Sequence, residues 1–292
     1  MESVTFVDRK TGKKIVEQIP GAGMLKFLYN SPIGKATLHL LFKRKIVSSF
    51  GGWFMNSGIS KNRIDSFIKE YNMDMSEYIC PKEGFKTFND FFYRKIKPEA
   101  RPIGNGVVSP ADGKLLAFET IKDSNSFFVK GSEFTAETFL NDKNLSEKYK
   151  DGAMVIIRLA PVDYHRFHMP ATGEISDSKI INGDYFSVSP LALQKSLEIF
   201  CQNLREYSIL KTKENGDILI SEVGATMVGS IIQTYKPNSI VEKGSEKGYF
   251  AFGGSTLVLF FEKGKITLDS DLLENTKNGL ETVVKMGETI GK

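Results

Sequence analysis

Cysteine, histidine and long apolar runs are all scarce in this 292-residue chain, and each scarcity closes off a class of protein. Two cysteines, Cys80 and Cys201, cannot build a disulfide scaffold and cannot by themselves supply a four-ligand zinc site. No stretch reaches the eighteen or so apolar residues that a spanning helix needs. The longest charge-free window near the start, residues 46–60, is broken by Ser48, Ser49, Asn56, Ser57 and Ser60. The first twenty residues carry no apolar segment of the kind a cleaved signal peptide requires. Charge of either sign is close to balanced: Lys+Arg 39 against Asp+Glu 35 gives +4, too mild an excess for a dedicated nucleic-acid binder. With 41% apolar and 25% charged residues the composition is that of an ordinary globular chain, which excludes wholesale disorder.

The charge is unevenly placed. Residues 1–50 hold nine Lys or Arg against Glu2, Asp8 and Glu17, a local net charge of +6 that leaves the remainder at −2. Leu38, Leu41, Phe42 and Ile46 recur among these charges at the spacing of one helix face. Such a basic, amphipathic, non-spanning segment can lie among the headgroups of an anionic bilayer. The same pattern also suits a helix packed on a core with solvated lysines outside.

Residues 22–78 read mainly as short helices, with 64–71 and 75–78 the last of them, and 85–96 has helical spacing at Phe88, Phe91, Phe92 and Ile96. Further along, short apolar runs bounded by Gly-containing turns take over: 107–108, 115–118, 127–129, 154–159, 218–223, 226–232, 255–261 and 266–268, interrupted by one helical pattern over 190–203. The expected class is α+β: an N-terminal helical, membrane-facing segment over 1–80, then a β-rich, sandwich- or barrel-like catalytic core over 81–292.

Three segments could carry chemistry. Ser109-Pro110-Ala111-Asp112-Gly113-Lys114 sits between two strand candidates, and locally Asp-Gly after Pro is ordinary turn chemistry. His165 and His168, two of only three histidines, follow a strand candidate; they share a face in a helical turn and diverge in an extended one. No third and fourth ligand at a metal-site spacing lies near them, and a catalytic role needs a carboxylate and a nucleophile from elsewhere. Gly253-Gly254-Ser255-Thr256 precedes an apolar run, which reads as a tight turn or bulge. It also reads as a Gly-Ser bond open to attack by the serine's own hydroxyl, followed by β-elimination to leave a pyruvoyl group.

Taken in order, FFYRKIKPEARPI, SPADGK, RLAPVDYHRFHMPATG, NGDYFSVSP, VGATMVGSI and KGYFAFGGSTLVLFF resemble the phosphatidylserine decarboxylases, from about Phe85 onward. Each string alone is modest; the ordered set is specific. Gly253 stands where that family commonly has leucine in Leu-Gly-Ser-Thr, while the Gly254-Ser255 bond is intact.

The resemblance implies a proenzyme that cuts itself at Gly254-Ser255 into a β chain of residues 1–254 and an α chain of 255–292. Ser255 would be the nucleophile and then the covalent pyruvoyl cofactor, with neither metal nor pyridoxal phosphate. His168 would be the base, Asp112 the carboxylate orienting it, and His165 a second histidine used in decarboxylation. The implied reaction releases CO₂ from phosphatidylserine to give phosphatidylethanolamine, a step of phospholipid biosynthesis. The substrate would be met in an anionic membrane, with the protein peripheral on the cytoplasmic face of the cell membrane, and a homodimer is a further expectation. Two other readings stand beside this one: a non-catalytic module binding anionic lipid, and a decarboxylase of another serine-headed lipid. A serine hydrolase fits less well, since no Gly-x-Ser-x-Gly elbow occurs and Ser255 precedes a strand rather than a helix.

Overall fold

The computed structural model describes residues 5–17, 31, 52–124, 134–183, 201–224, 231–251 and 255–292. The strands among them are β1 (Thr5–Asp8), β2 (Lys14–Val16), β3 (Tyr78–Ile79), β4 (Lys95–Ile96), β5 (Val107–Val108), β6 (Gly113–Phe118), β7 (Met154–Leu159), β8 (Arg166–His168) and β9 (Gly173–Ile175). The series continues with β10 (Lys179–Ile181), β11 (Arg205–Lys211), β12 (Asp217–Gly224), β13 (Ile231–Gln233), β14 (Ser239–Val241), β15 (Glu246–Phe250), β16 (Ser255–Phe260), β17 (Glu281–Val284) and β18 (Thr289–Gly291). The helices are short: α1 (Ile64–Glu70), α2 (Phe88–Phe92), α3 (Ala136–Leu140), α4 (Lys143–Tyr149) and α5 (Ser270–Lys277).

The organising element is an 11-stranded mixed sheet running β14-β9-β11-β12-β16-β7-β6-β17-β1-β2, with β10 paired to β11. Its central strands read as predominantly apolar runs because both of their faces are covered. On one face Leu116, Ile156, Leu219, Val258 and Phe260 pack against Phe139, Leu140 and Tyr149 of α3 and α4. On the other, Leu115, Ile157, Ile220, Leu257 and Leu259 pack against Phe167 and Phe250 of a second, three-stranded sheet, β13-β15-β8. The strand-rich α+β expectation therefore holds, with the large sheet layered between helices and a small sheet.

The helical expectation for the N-terminal segment needs correction where residues are described. Residues 5–16 form a hairpin, β1 with β2, and β1 runs parallel to β17 at the edge of the large sheet. The cause is local: β-branched and aromatic residues alternate through Thr5-Phe6-Val7 and Ile15-Val16, and Gly12 takes φ +68 in the turn. Residues 18–30 and 32–51, which carry most of the basic amphipathic pattern, lie outside the described residues. None of the described helices is long and apolar enough to cross a membrane. Helix α1 matches the reading of 64–71, and α2 occupies part of 85–96, capped by the Thr87 side chain accepting from Asp90 N–H. Residues 75–78 are a turn entering β3 rather than helix, and β3 pairs with β4 across position 80. Residues 266–268 contribute only a bridge from Leu268 to Gly291, not a strand. The readings at 127–129, most of 190–203 and most of 226–232 fall outside the described residues.

A buried cation fastens the hairpin to the sheet. Arg158 on β7 donates to Glu281 on β17 at 2.9 and 2.5 Å and to Glu17 at 3.1 and 2.7 Å. Arg158→Met would leave two inward carboxylates without their cation, and removing one partner of a buried ionic cluster costs about 3–5 kcal/mol. The expected outcome is a markedly lower midpoint in urea denaturation, whereas a midpoint like wild type would show the cluster to be dispensable.

Candidate active site

One end of the large sheet gathers the chemistry. Ser255 opens β16 and lies opposite Leu159, the last residue of β7, and Gly224, the last of β12. Asp112 immediately precedes β6, whose neighbour on the other side, β17, ends at Val284 and leads to Lys285 and Met286. Neighbouring strands lie about 4.8 Å apart, so Asp112 and Ser255 start strands about 10 Å from each other, with β7 between.

Ser255 is fully buried, and its Oγ has no hydrogen-bond partner among the described residues. Its neighbours Gly253 and Gly254 lie outside them.

Asp112 sits in the Ser109–Lys114 turn with both oxygens engaged. Arg101 donates from Nε at 3.0 Å and from a terminal nitrogen at 2.6 Å; the Met286 N–H donates at 2.8 Å and Lys285 Nζ at 3.2 Å. Arg101 also reaches Glu77 at 2.9 Å. The carboxylate thus joins the loop after α2 to the C-terminal segment.

The loop of residues 160–165 is folded around Asp163. Its Oδ2 accepts from Ala160 N–H at 2.7 Å and from Lys114 Nζ at 2.8 Å. Burial alone would push this carboxyl up, but the Lys114 ammonium and the Ala160 N–H hold it below the usual carboxylate range. Arg94, stacked 4.1 Å above the Tyr78 ring centre, donates to the carbonyls of Val162 and Asp163 at 2.9 and 3.3 Å.

His165 is the product of that loop. Its Nδ1 lies 3.0 Å from the Asp163 carbonyl, which can only accept, so Nδ1 carries the proton and Nε2 holds a lone pair. That Nε2 is buried without a partner among the described residues, and the Phe92 ring lies 3.8 Å away, centre to centre. Burial first, then the nearby Arg94 and Lys114 charges, push the ring down to about 3 against the opposing pull of Asp163, so it is neutral across the physiological range. A folded-state value below the unfolded one makes stability rise with pH between about 3 and 6.5 and fall as pH drops through that window. At pH 5 the penalty is about 2 kcal/mol. His165→Gln removes this titration, so its melting temperature should fall less steeply than wild type between pH 6.5 and 5; parallel curves would rule the group out as an acid-sensitive element.

His168 lies on β8 and turns elsewhere, as an extended i, i+3 pair must. Its backbone N–H donates to Pro110 O at 2.8 Å, bringing the Asp112 turn beside it. Nδ1 lies 2.9 Å from Gly244 O and therefore donates; Nε2, 3.1 Å from Tyr164 Oη, accepts the phenol proton. Burial lowers its pKa, while the Gly244 carbonyl and the fields of Glu246 and Asp112 oppose the shift. No side-chain hydrogen bond joins Asp112, His168 and Ser255 among the described residues. A cavity of about 330 Å³ opens beside His168, lined by Arg101, Tyr164, Glu246, Met286, Lys95 and Lys97.

Residues 88–292 match the family model described as phosphatidylserine decarboxylase. Over 99% of this chain and 98% of its own length, a phosphatidylserine decarboxylase proenzyme of Fusobacterium nucleatum is 55% identical. Proenzymes of the same name from Clostridium novyi and Desulfitobacterium hafniense are 48% and 45% identical, covering 99% of this chain and 99% and 98% of their own lengths. The chain belongs to the phosphatidylserine decarboxylase family.

The family match spans Arg101, Asp112, His165, His168 and Ser255 together. Sequence reasoning passed over Arg101, Tyr164, Lys114 and Asp163, although the strings that carried the resemblance contain all four. It had no means of finding Gly244 O or Met286 N–H, because main-chain donors and acceptors leave no residue signature.

Proposed function

We propose that this chain decarboxylates phosphatidylserine to phosphatidylethanolamine and CO₂, after maturing by scission of its own Gly254-Ser255 bond. The observation that carries the reading is the Ser255 hydroxyl: fully buried, without a partner among the described residues, at the first position of a central strand and directly after a glycine in the chain. An unsatisfied buried hydroxyl is costly to keep unless it has work to do there.

His168 is assigned the base. Its Nδ1–H is fixed on Gly244 O, leaving Nε2 as the basic nitrogen, and the Asp112 charge favours the imidazolium that forms when a proton arrives. Asp112 thereby acts through its field, while the ring is oriented by a carbonyl. In maturation the Ser255 hydroxyl gives up its proton and its oxygen attacks the Gly254 carbonyl, moving the acyl group from nitrogen to oxygen. Loss of the Cα proton of residue 255 then expels the Gly254 carboxylate, and water replaces the resulting enamine nitrogen, which leaves as ammonia. The pyruvoyl group so made supplies a carbonyl that takes up the electron pair left behind by CO₂. Ser255 is well placed for it, since the strands on both sides hold the residue in register. His165 Nε2 is assigned the acceptor of a hydrogen bond from the substrate ammonium, which orients the amine toward residue 255; a ring pushed down to about 3 is too weak a base to take that proton.

Phosphatidylserine stays in its bilayer, so the site must meet a membrane surface. The basic residues of 1–50, together with Trp53 and Ile59, which are 66% and 72% exposed, are assigned that contact, on the cytoplasmic face. Co-flotation with vesicles containing phosphatidylserine, but not with neutral ones, is the expected result; indifference to lipid charge would remove this assignment.

The function itself is tested by a denaturing mass spectrum together with product analysis. Two chains of about 28 and 4 kDa in equal amount, the smaller blocked to Edman degradation, should accompany phosphatidylethanolamine formation. One intact chain that binds vesicles and releases no CO₂ would make this a lipid-binding module instead.

A further inference from the structure

Glu222 and Lys247 are both entirely buried, with Lys247 Nζ 2.9 Å from Glu222 Oε1. Gln233 closes the group: its amide donates to Glu222 Oε2 at 2.9 Å, and its carbonyl accepts from Lys247 Nζ at 2.9 Å. The ammonium also lies 5.0 Å from the Tyr235 ring centre and 5.5 Å from that of Phe167. Glu206 stands directly across the strand pair from Glu222; burial first, and this second carboxylate to a lesser degree, push the Glu222 carboxyl up against the pull of Lys247 and Gln233. None of these residues belongs to the catalytic set above.

Stability does not explain such a group. Taking two charges out of water is costly, and apolar side chains of similar volume often do as well or better in the same space. What a closed ionic triangle adds is direction: it holds three strands in one register.

The three strands are the informative part. Glu222 lies on β12, two residues before the Gly224 that faces Ser255, and on the same face of the sheet as Ser255. Lys247 is the extra residue of a bulge: β15 advances from Glu246 to Gly248 while β8 advances only from His168 to Phe167. Bulges re-aim a side chain and are frequent beside active sites. Strand β15 then ends at Phe250, just before Gly254-Ser255, while Gln233 closes β13 in the same small sheet. The triangle therefore ties the strand beside Ser255 to the strand that delivers the chain to the scissile bond, across the two sheets.

We infer that Glu222, Lys247 and Gln233 form a positioning unit that keeps β15, the strand leading toward residue 255, docked on the catalytic sheet once the chain is cut. The inference rests on the self-cleavage reading above. Before scission the peptide joins β15 to β16 as well as to β14; afterwards β15 keeps only its connection from β14, and the triangle adds a directional side-chain link to the large sheet.

The test is Glu222→Leu combined with Lys247→Met, which removes both charges and leaves neither stranded. The double variant should cut itself yet turn over about tenfold more slowly with KM unchanged, because misplacement of a reacting group acts on the rate. Its melting temperature should drop further in the cut enzyme than in the uncut Ser255→Ala background. Equal drops in both backgrounds with wild-type kcat would overturn the inference and leave the group as core filling. If the double variant does not fold, Gln233→Ala decides by the same two comparisons. Wild-type protein that neither cuts itself nor acts on phosphatidylserine would defeat the functional reading instead, and the two failures are thereby separable.

Discussion

Ser255→Ala should remain a single 292-residue chain, release no CO₂ from phosphatidylserine, and melt no lower than wild type. The three outcomes follow from one atom. Ser255 Oγ is buried and bonded to nothing among the described residues, so deleting it leaves no donor or acceptor stranded. Burial of an unpaired hydroxyl costs about 1–3 kcal/mol, and the alanine variant is relieved of that cost. The backbone at this position pairs on both sides, with Leu159 and Gly224, and alanine keeps those pairings. A serine that merely packed would therefore be replaceable with full activity. Loss of both scission and turnover in a protein of undiminished stability isolates the hydroxyl as the reacting group. Activity that survives in the intact alanine chain would refute the self-cleavage reading outright, because no pyruvoyl can arise from alanine.

The sequence was most legible where physics left least choice. Strands β6, β7, β12 and β16 are sandwiched on both faces, so they appear as predominantly apolar runs. The hairpin of β1 and β2 escaped notice because it is short and sits at the sheet edge, where basic residues dominate the composition. Strands β8, β13 and β14 have three residues each, too few for any periodicity to register. At the site, His165 and His168 stood out through the rarity of histidine, and Asp112 and Ser255 through their motifs. Their surroundings did not, since proximity in space here spans long intervals of chain. Lys285 and Met286 come to Asp112 from more than 170 positions away. The Glu222–Lys247 pair was silent for the opposite reason: isolated charges within strands look like solvent-facing residues until the second sheet covers them.

The two histidines face different partners, and this division governs what their removal should do. His168 is tied by its backbone to the Asp112 turn and offers Nε2 to Tyr164, whereas His165 is packed against Phe92 with Nε2 unclaimed.

His168→Ala should therefore leave the chain uncut, like the Ser255 variant, because the base for the serine proton is gone. His165→Ala should cut itself and produce both chains, yet turn over about 10²-fold more slowly, the cost of a misplaced reacting group. The reason lies in the protonation state of His165. Burial holds its ring neutral, with Nδ1–H spent on Asp163 O, so at neutral pH Nε2 is a hydrogen-bond acceptor and has no proton to give. A ring pushed down to about 3 is too weak a base to strip an ammonium, but it can accept a hydrogen bond from one and so orient the amine. His165→Gln, whose amide oxygen can accept the same bond, should therefore keep more of the turnover than His165→Ala. A His165 variant that fails to cut would move the maturation base to this residue. Alanine and glutamine variants that both turn over at the wild-type rate would leave His165 a packing partner of Phe92.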